Sequence, residues 1–256
     1  MSQLELAGEA NISTKHLSFV ETGRSVPSRD MLLDLTEHLN VPLRERNLLL
    51  TAAGYAPVFP ERTLENPALA QARQVIDLVL AGHEPYPALA IDRHWTLVAA
   101  NRVVPPLLAG VDPALLQPPV NVLRLSLHPD GLAARIVNLA EWRLHLLARL
   151  RRQSEITADP VLTELLREIS AYPFTRADKS MTTAREGDYA GIAVPLRLQT
   201  AQGTLSFLST TTVFGTPIDL TLAELAIESF FPANAATKAL LTQPAFLKES
   251  RPAYNE

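Results

Sequence analysis

The chain has 256 residues, of which 47% are apolar and 20% charged, and a net charge of −4; this is the balance of a globular protein with room for two cores, and no coiled coil or disordered tail dominates it. The acidity sets it apart from strongly basic nucleic-acid binders, so any affinity for DNA must come from local placement of charge. Cysteine is absent, which removes disulfides, thiolate metal sites and thiol nucleophiles; with no apolar run near the roughly 20 residues that span a bilayer and no basic start before an apolar stretch, the expectation is a cytoplasmic protein without a membrane partner.

From the N-terminus the spacing predicts four short helices: Gln3 to Ala10, Thr14 to Glu21, Arg29 to Leu39 and Leu43 to Ala53. Leu17 and Val20 face inward, as do Leu32, Leu35 and Leu39, and Ser13 and Ser28 stand where N-caps belong. The stretch APVFPERTLEN, with two prolines and no periodicity, reads as a linker. Helix starts of the cap-then-proline kind follow at Asn66-Pro67, Asp112-Pro113 and Asp159-Pro160, and a further helix is predicted from Leu132 to Arg152. Arg149, Arg151 and Arg152 fall in its last turns, where cations complement the macrodipole. Strands are predicted at Ala88 to Asp92, Thr96 to Ala100, Gly191 to Thr200, Thr204 to Phe214 and Asp219 to Phe231, the last with a spacing that also suits a helix. Hairpins are expected around Arg93-His94 and Ala201-Gln202-Gly203. The fold class is therefore α+β: residues 1–56 all-helical, 57–65 a linker, 66–245 a five-stranded antiparallel sheet with helices inserted after the second strand, and 246–256 a tail.

Ser2-Gln3, Ser13, Glu21-Thr22-Gly23-Arg24 and Pro27-Ser28 stand at fixed offsets, and over residues 2 to about 55 the chain resembles the Xre/Cro-type helix-turn-helix family. The resemblance implies operator binding by a recognition helix at Thr14 to Glu21, with its N-terminal side chains in the major groove. Thr14, Lys15, His16 and Ser18 are the candidates for base edges, and Gln3 and Arg24 for phosphates. The family normally has another helix before Ser2-Gln3. Its absence leads to the expectation that Leu6, Leu17 and Leu35 lie partly exposed and that the chain as given, whose first 55 residues hold five Lys/Arg against seven Asp/Glu, binds DNA poorly.

Further on, His83-Glu84-Pro85-Tyr86-Pro87, Asp92-Arg93-His94-Trp95 through Asn101, Asn121-Val122-Leu123-Arg124-Leu125, His128-Pro129-Asp130-Gly131, Asn138 to Trp142, Val194-Pro195-Leu196, and Val213 to Pro217 with Ile227 to Ala233 resemble the ligand-binding half of MmyB-like regulators, a PAS-like domain. This covers roughly residues 66–245 and implies a cavity between sheet and helices for an apolar or amphipathic small molecule, with a long-chain fatty acid as the best candidate. The expected lining is Val98, Ala100, Leu108, Leu123, Ile136, Trp142, Leu196, Phe207, Thr211 and Phe214, with Arg102, Arg124 or His128 receiving a carboxylate.

No pairing of His, Asp and Glu has metal-ligand spacing, and no nucleophile elbow or Gly-rich phosphate loop occurs. The expectation is a non-enzymatic, one-component regulator without cofactor, acting as a homodimer on a palindromic operator. The competing reading is a lipid- or acyl-binding protein, or an enzyme acting on such molecules, with the N-terminal segment as a dimerisation arm; DNA binding or ligand turnover separates the two.

Overall fold

The structure is a computed structural model in which residues 1–173 and 193–243 are described; the expected tail at 246–256 and the start of the predicted strand at Gly191 lie outside them. The chain divides into two units, Met1–Ala70 with Phe214–Glu224, and Gln71–Val213 with Leu225–Glu256.

The first unit holds α1 (Gln3–Glu9), α2 (Thr14–Glu21), α3 (Arg29–His38) and α4 (Leu43–Ala52). Ser2 and Glu5 form a reciprocal capping box on α1, and the hydroxyls of Ser13 and Ser28 accept from the amides of His16 at 3.1 Å and Met31 at 3.2 Å. Asn11 takes φ +51° between α1 and α2, a left-handed turn that asparagine tolerates. The expected exposure of Leu6, Leu17 and Leu35 is corrected: they are 8%, 3% and 6% exposed. These leucines close on each other and on Ala7 and Ala10, with Ile12 and Met31 against them, so three short amphipathic helices suffice to bury one another's stripes.

The Pro- and charge-rich stretch after α4 is fastened to that helix. Asn47 accepts from the amides of Val58 and Phe59 and donates to the carbonyl of Phe59 at 2.7 Å, and Tyr55 donates to the carbonyl of Pro27 at 3.0 Å. The segment Phe214–Glu224 completes this unit. Leu220 donates its amide to Pro60, Arg62 pairs with the buried Asp219 at 2.9 Å, and Arg44 of α4 forks between Glu224 and Glu61.

The second unit opens with α5 (Ala70–Gly82) and a five-stranded antiparallel sheet. Its strands are β1 (Ala88–Ile91), β2 (Leu97–Ala100), β3 (Leu196–Thr200), β4 (Gly203–Val213) and β5 (Ala226–Pro232), in the order β2-β1-β5-β4-β3. Between β2 and β3 come α6 (Val104–Leu107), α7 (Val122–Leu127), α8 (Leu139–Thr157) and α9 (Pro160–Ala171). Both expected hairpins form, Leu89 opposite Ala100 and Leu198 opposite Leu205. The α+β class and the sheet with helices inserted after its second strand are thus the ones adopted.

Four boundaries, on three elements, are corrected. The predicted strand from Asp219 begins as helix α10 (Leu220–Ala223), because the Asp219 carboxylate accepts from the Thr221 amide and caps it, and only Ala226 onward joins the sheet. The predicted helix from Leu132 starts seven residues later, since Ile136 bridges to Leu198 in β3 and Asn138 precedes the first turn. It also runs beyond Arg152 to Thr157, where Ala158 turns left-handed at φ +50°. The described part of the strand predicted from Gly191 is extended only from Leu196. The unit closes with α11 (Ala235–Leu241), whose buried Thr237 accepts from the Ser206 amide at 2.9 Å.

Candidate functional sites

In the second unit a cavity of about 110 Å³ lies between one face of the sheet and the helices. Every strand contributes: Leu89 of β1, Leu97 of β2, Leu196 of β3, Ser209 of β4, and Glu228 and Phe230 of β5. The opposite wall is Val104 of α6, then Leu108, Leu123 and Leu125 of α7, Leu132, and Trp142 and Leu146 of α8. Trp95, from the tight turn between β1 and β2, sits at φ +66°, a conformation unusual for a bulky residue; its indole N–H donates to Gln153 of α8 at 2.8 Å, which holds the ring in place. Trp142 likewise donates to Ser126 at 2.9 Å, so both buried indoles are satisfied.

Among the described residues, Arg149 and Glu228 are the charged members of this lining. The Arg149 guanidinium hydrogen-bonds Glu228 and Thr211 and lies over the Trp95 ring, 4.6 Å from its centroid. Thr211 also donates to Glu228, at 3.0 Å. The Glu228 side chain is 6% exposed and that of Arg149 33%, so the carboxylate is the more deeply covered of the two.

Of the residues expected to line a cavity, Leu108, Leu123, Trp142 and Leu196 do so. Val98 and Ala100 do not line it: the pairing of β1 with β2 shifts register between Ala90 and Ile91, which breaks regular alternation along β2, and both residues are exposed, Val98 at 37%. Ile136 and Phe207 are buried in the main core, Thr211 reaches the site through Glu228, and Phe214 belongs to the first unit. None of the three expected carboxylate receivers lines the cavity. Arg102 pairs with Glu84 at the surface, Arg124 with Glu168 at 2.7 Å, and His128 packs edge-on against Tyr172 and lies 3.7 Å from Asp130.

The cation at the cavity is Arg149, which the sequence reading gave to the helix end. Two signals would have found it. Trp142, Leu146 and Arg149 recur at four and three residues, one stripe of a helix, and Glu228 shares a strand face with Phe230.

In the first unit, Thr14, Lys15 and His16 on the opening turn of α2 are exposed and Ser18 is half-buried. At about 100° per residue, Thr14, Ser18 and Lys15 fall within an arc of about 100° on the helix. His16 lies outside it and its ring reaches Ser25 at 3.5 Å. Lys15 and Arg24 approach the Phe19 ring at 5.6 and 5.9 Å from opposite ends of α2, and Gln3 donates to Glu21 at 2.6 Å, tying α1 to α2. Among the described residues no three His, Asp or Glu side chains come together as a metal site, and no helix is long and apolar enough to cross a membrane.

Comparison with known families gives two matches. The ligand binding domain of MmyB-like transcription regulators matches residues 72–243, and a helix-turn-helix family matches residues 1–46. No curated protein matches the chain.

Proposed function

The chain belongs to the MmyB-like transcription regulator ligand binding domain family and carries a helix-turn-helix before that domain, so it is a ligand-sensing transcription regulator; from that premise we propose a cytoplasmic homodimer that binds a palindromic operator and senses an amphipathic small molecule, a long-chain fatty acid being the first candidate. The observation that carries the ligand half is the cavity of the second unit, walled by leucines, valines, tryptophans and a phenylalanine, with Arg149, Glu228 and Ser209 gathered among them. Such a site takes an apolar tail and fixes one polar end. A cavity of about 150 Å³ holds benzene, so the 110 Å³ found here requires its leucines to part before a long chain enters.

For the DNA half, the face formed by Thr14, Lys15 and Ser18 is proposed to meet base edges, with His16 beside it and Gln3 and Arg24 on phosphates. Support for coupling comes from the path of the chain. β4 brings Ser209 and β5 brings Glu228 to the cavity, and the residues that join these two strands, Phe214–Glu224, fold with the first unit. A ligand that shifts either strand therefore has a covalent route to the helix-turn-helix beside the linker, provided it binds the two arrangements with different affinity.

Native mass spectrometry of the purified protein, followed by extraction, tests the reading. A bound amphiphile at one per chain, whose removal changes operator affinity, is the expected result. A protein that stays empty when challenged with fatty acids and other amphiphiles overturns it.

A further inference from the structure

We infer that the cavity selects a head group without net charge, namely an alcohol, an amide or an un-ionised carboxylic acid, over a carboxylate. This rests on the reading of the cavity as the ligand site and narrows it: a fatty acid is taken only with its proton, behind a neutral amphiphile of the same tail. A cation in an apolar cavity invites an anion, but here the cation is answered from within. The Arg149 guanidinium is fixed between the Trp95 ring and the Glu228 carboxylate, and Thr211 bonds both charged groups.

A ligand carboxylate beside this pair meets attraction from Arg149 and repulsion from Glu228 of the same order, because the two charges share one hydrogen bond. It recovers little of the hydration it gives up. Among the described residues that line the cavity, no second cation redresses the balance. His145, one turn before Arg149 on α8, has its pKa lowered first by burial and then by the charge of Arg149, so near neutral pH it adds no second cation; Glu141, on the same helix, adds a further acid. A hydroxyl, by contrast, both accepts and donates, so it can take a hydrogen bond from Arg149 and give one to Glu228 without disturbing their neutrality. A carboxylic acid can do the same only if it arrives with its proton, which it does not carry in water at pH 7.

The test is calorimetric titration of the full chain with decanoic acid and with 1-decanol, which share a tail, at pH 6 and pH 8. The alcohol is expected to bind equally at both, which also registers any titration of His145 or Glu141. The acid is expected to weaken at least tenfold over the same interval and to take up a proton on binding, the limit for one proton being tenfold per pH unit. In Glu228→Gln, which removes the opposing charge, decanoate at pH 8 should bind at least tenfold more tightly than to the wild type; a variant that binds decanoate no more tightly than the wild type counts against the inference. Decanoate that binds the wild type more tightly than the alcohol at pH 8, with no dependence on pH, overturns the inference and leaves the sensor reading standing; this arm needs no variant to fold. If neither compound binds, the sensor reading fails and the inference with it.

Discussion

Replacing Arg44 by alanine should loosen the segment Phe214–Glu224 without unfolding either unit. Arg44 donates to both oxygens of Glu224, at 2.6 and 2.8 Å, and to both of Glu61, at 3.1 and 2.5 Å. Its proton is held more tightly than an ordinary arginine's, first by the bonds to Glu224 and next by those to Glu61. The side chains of Arg44 and Glu224 are 24% and 23% exposed and that of Glu61 54%. The bidentate, mostly covered pair with Glu224 is worth about 1.5–3 kcal/mol, and the exposed one with Glu61 about 0–1 kcal/mol. The contacts of Asp219, Leu220 and Thr221 with residues 60–62 remain, so the segment should stay docked but open more readily, by about 2 kcal/mol. That free energy corresponds to about 30-fold faster exchange at the amides of Ala223 and Glu224, which donate within this segment to Asp219 and Leu220. Hydrogen exchange read by mass spectrometry, with α8 as the internal reference, checks it. The same variant should keep its ligand affinity and lose most of the ligand's effect on operator affinity. Exchange within threefold of the wild type refutes the structural argument, and faster exchange with an undiminished ligand effect refutes the segment as the coupling route.

Two further outcomes follow from charge placement. Lys15→Ala, at the exposed start of α2, should lower the slope of log affinity against log salt by about 1 if the ammonium sits on a phosphate; if it reads a base instead, the slope holds and operator preference relaxes, which binding to a set of single-base operator variants at several salt concentrations distinguishes. Glu168, on α9, has its carboxyl held below the usual range first by the hydrogen bond from Arg124, then, against opposition from burial, by the Tyr172 hydroxyl and the Arg124 charge. A depressed carboxyl stabilises the fold above its unfolded pKa of about 4.3 and ceases to do so as pH falls through its lower folded value. Glu168→Gln should therefore cost about 0.5–1 kcal/mol at pH 7, the scale of a partly exposed pair, and the gap from the wild type should close near pH 3; urea denaturation showing an equal gap at both pH values counts against the assignment.

Local grammar carried most of the fold. The cap serines at 13 and 28 close the hydrogen-bond pattern of two helices as their positions suggest, and each Asn-Pro or Asp-Pro pair starts a helical turn, although at Asp112 it opens only the short 3-10 stretch Pro113–Leu116. Where the reading slipped, a distant partner overrode a local preference. Leu132 to Ile136 has helical spacing, yet Ile136 is drawn into a bridge with Leu198, whose position in the sheet depends on a hairpin sixty residues along. The start of the last predicted strand was a matter of one carboxylate: Asp219 both caps α10 and receives Arg62.

The cavity was legible as a class of site but not in its charge, and the reason is physical. Apolar walls follow from periodicity, which is a property of single elements, and so Leu123, Trp142 and Leu196 could be chosen without knowing what faced them. A buried charge is different, because its meaning lies in its partner. Arg149 on a helix is unremarkable until Glu228, seventy-nine residues later, is found against it. Arg102, Arg124 and His128 were expected at a carboxylate because a buried anion needs a cationic partner, but each lies against an acid of its own and none lines the cavity. Val98 and Ala100 failed because the β1–β2 pairing shifts register between Ala90 and Ile91, an irregularity that alternation read from one strand does not show. Regular alternation does hold along β5, where it places Glu228 and Phe230 together. The polar end of the site is thus a consequence of strand alternation meeting a helical stripe, and a one-residue insertion in β5 before Glu228 would be expected to abolish it while leaving the apolar wall of α7 and α8 in place.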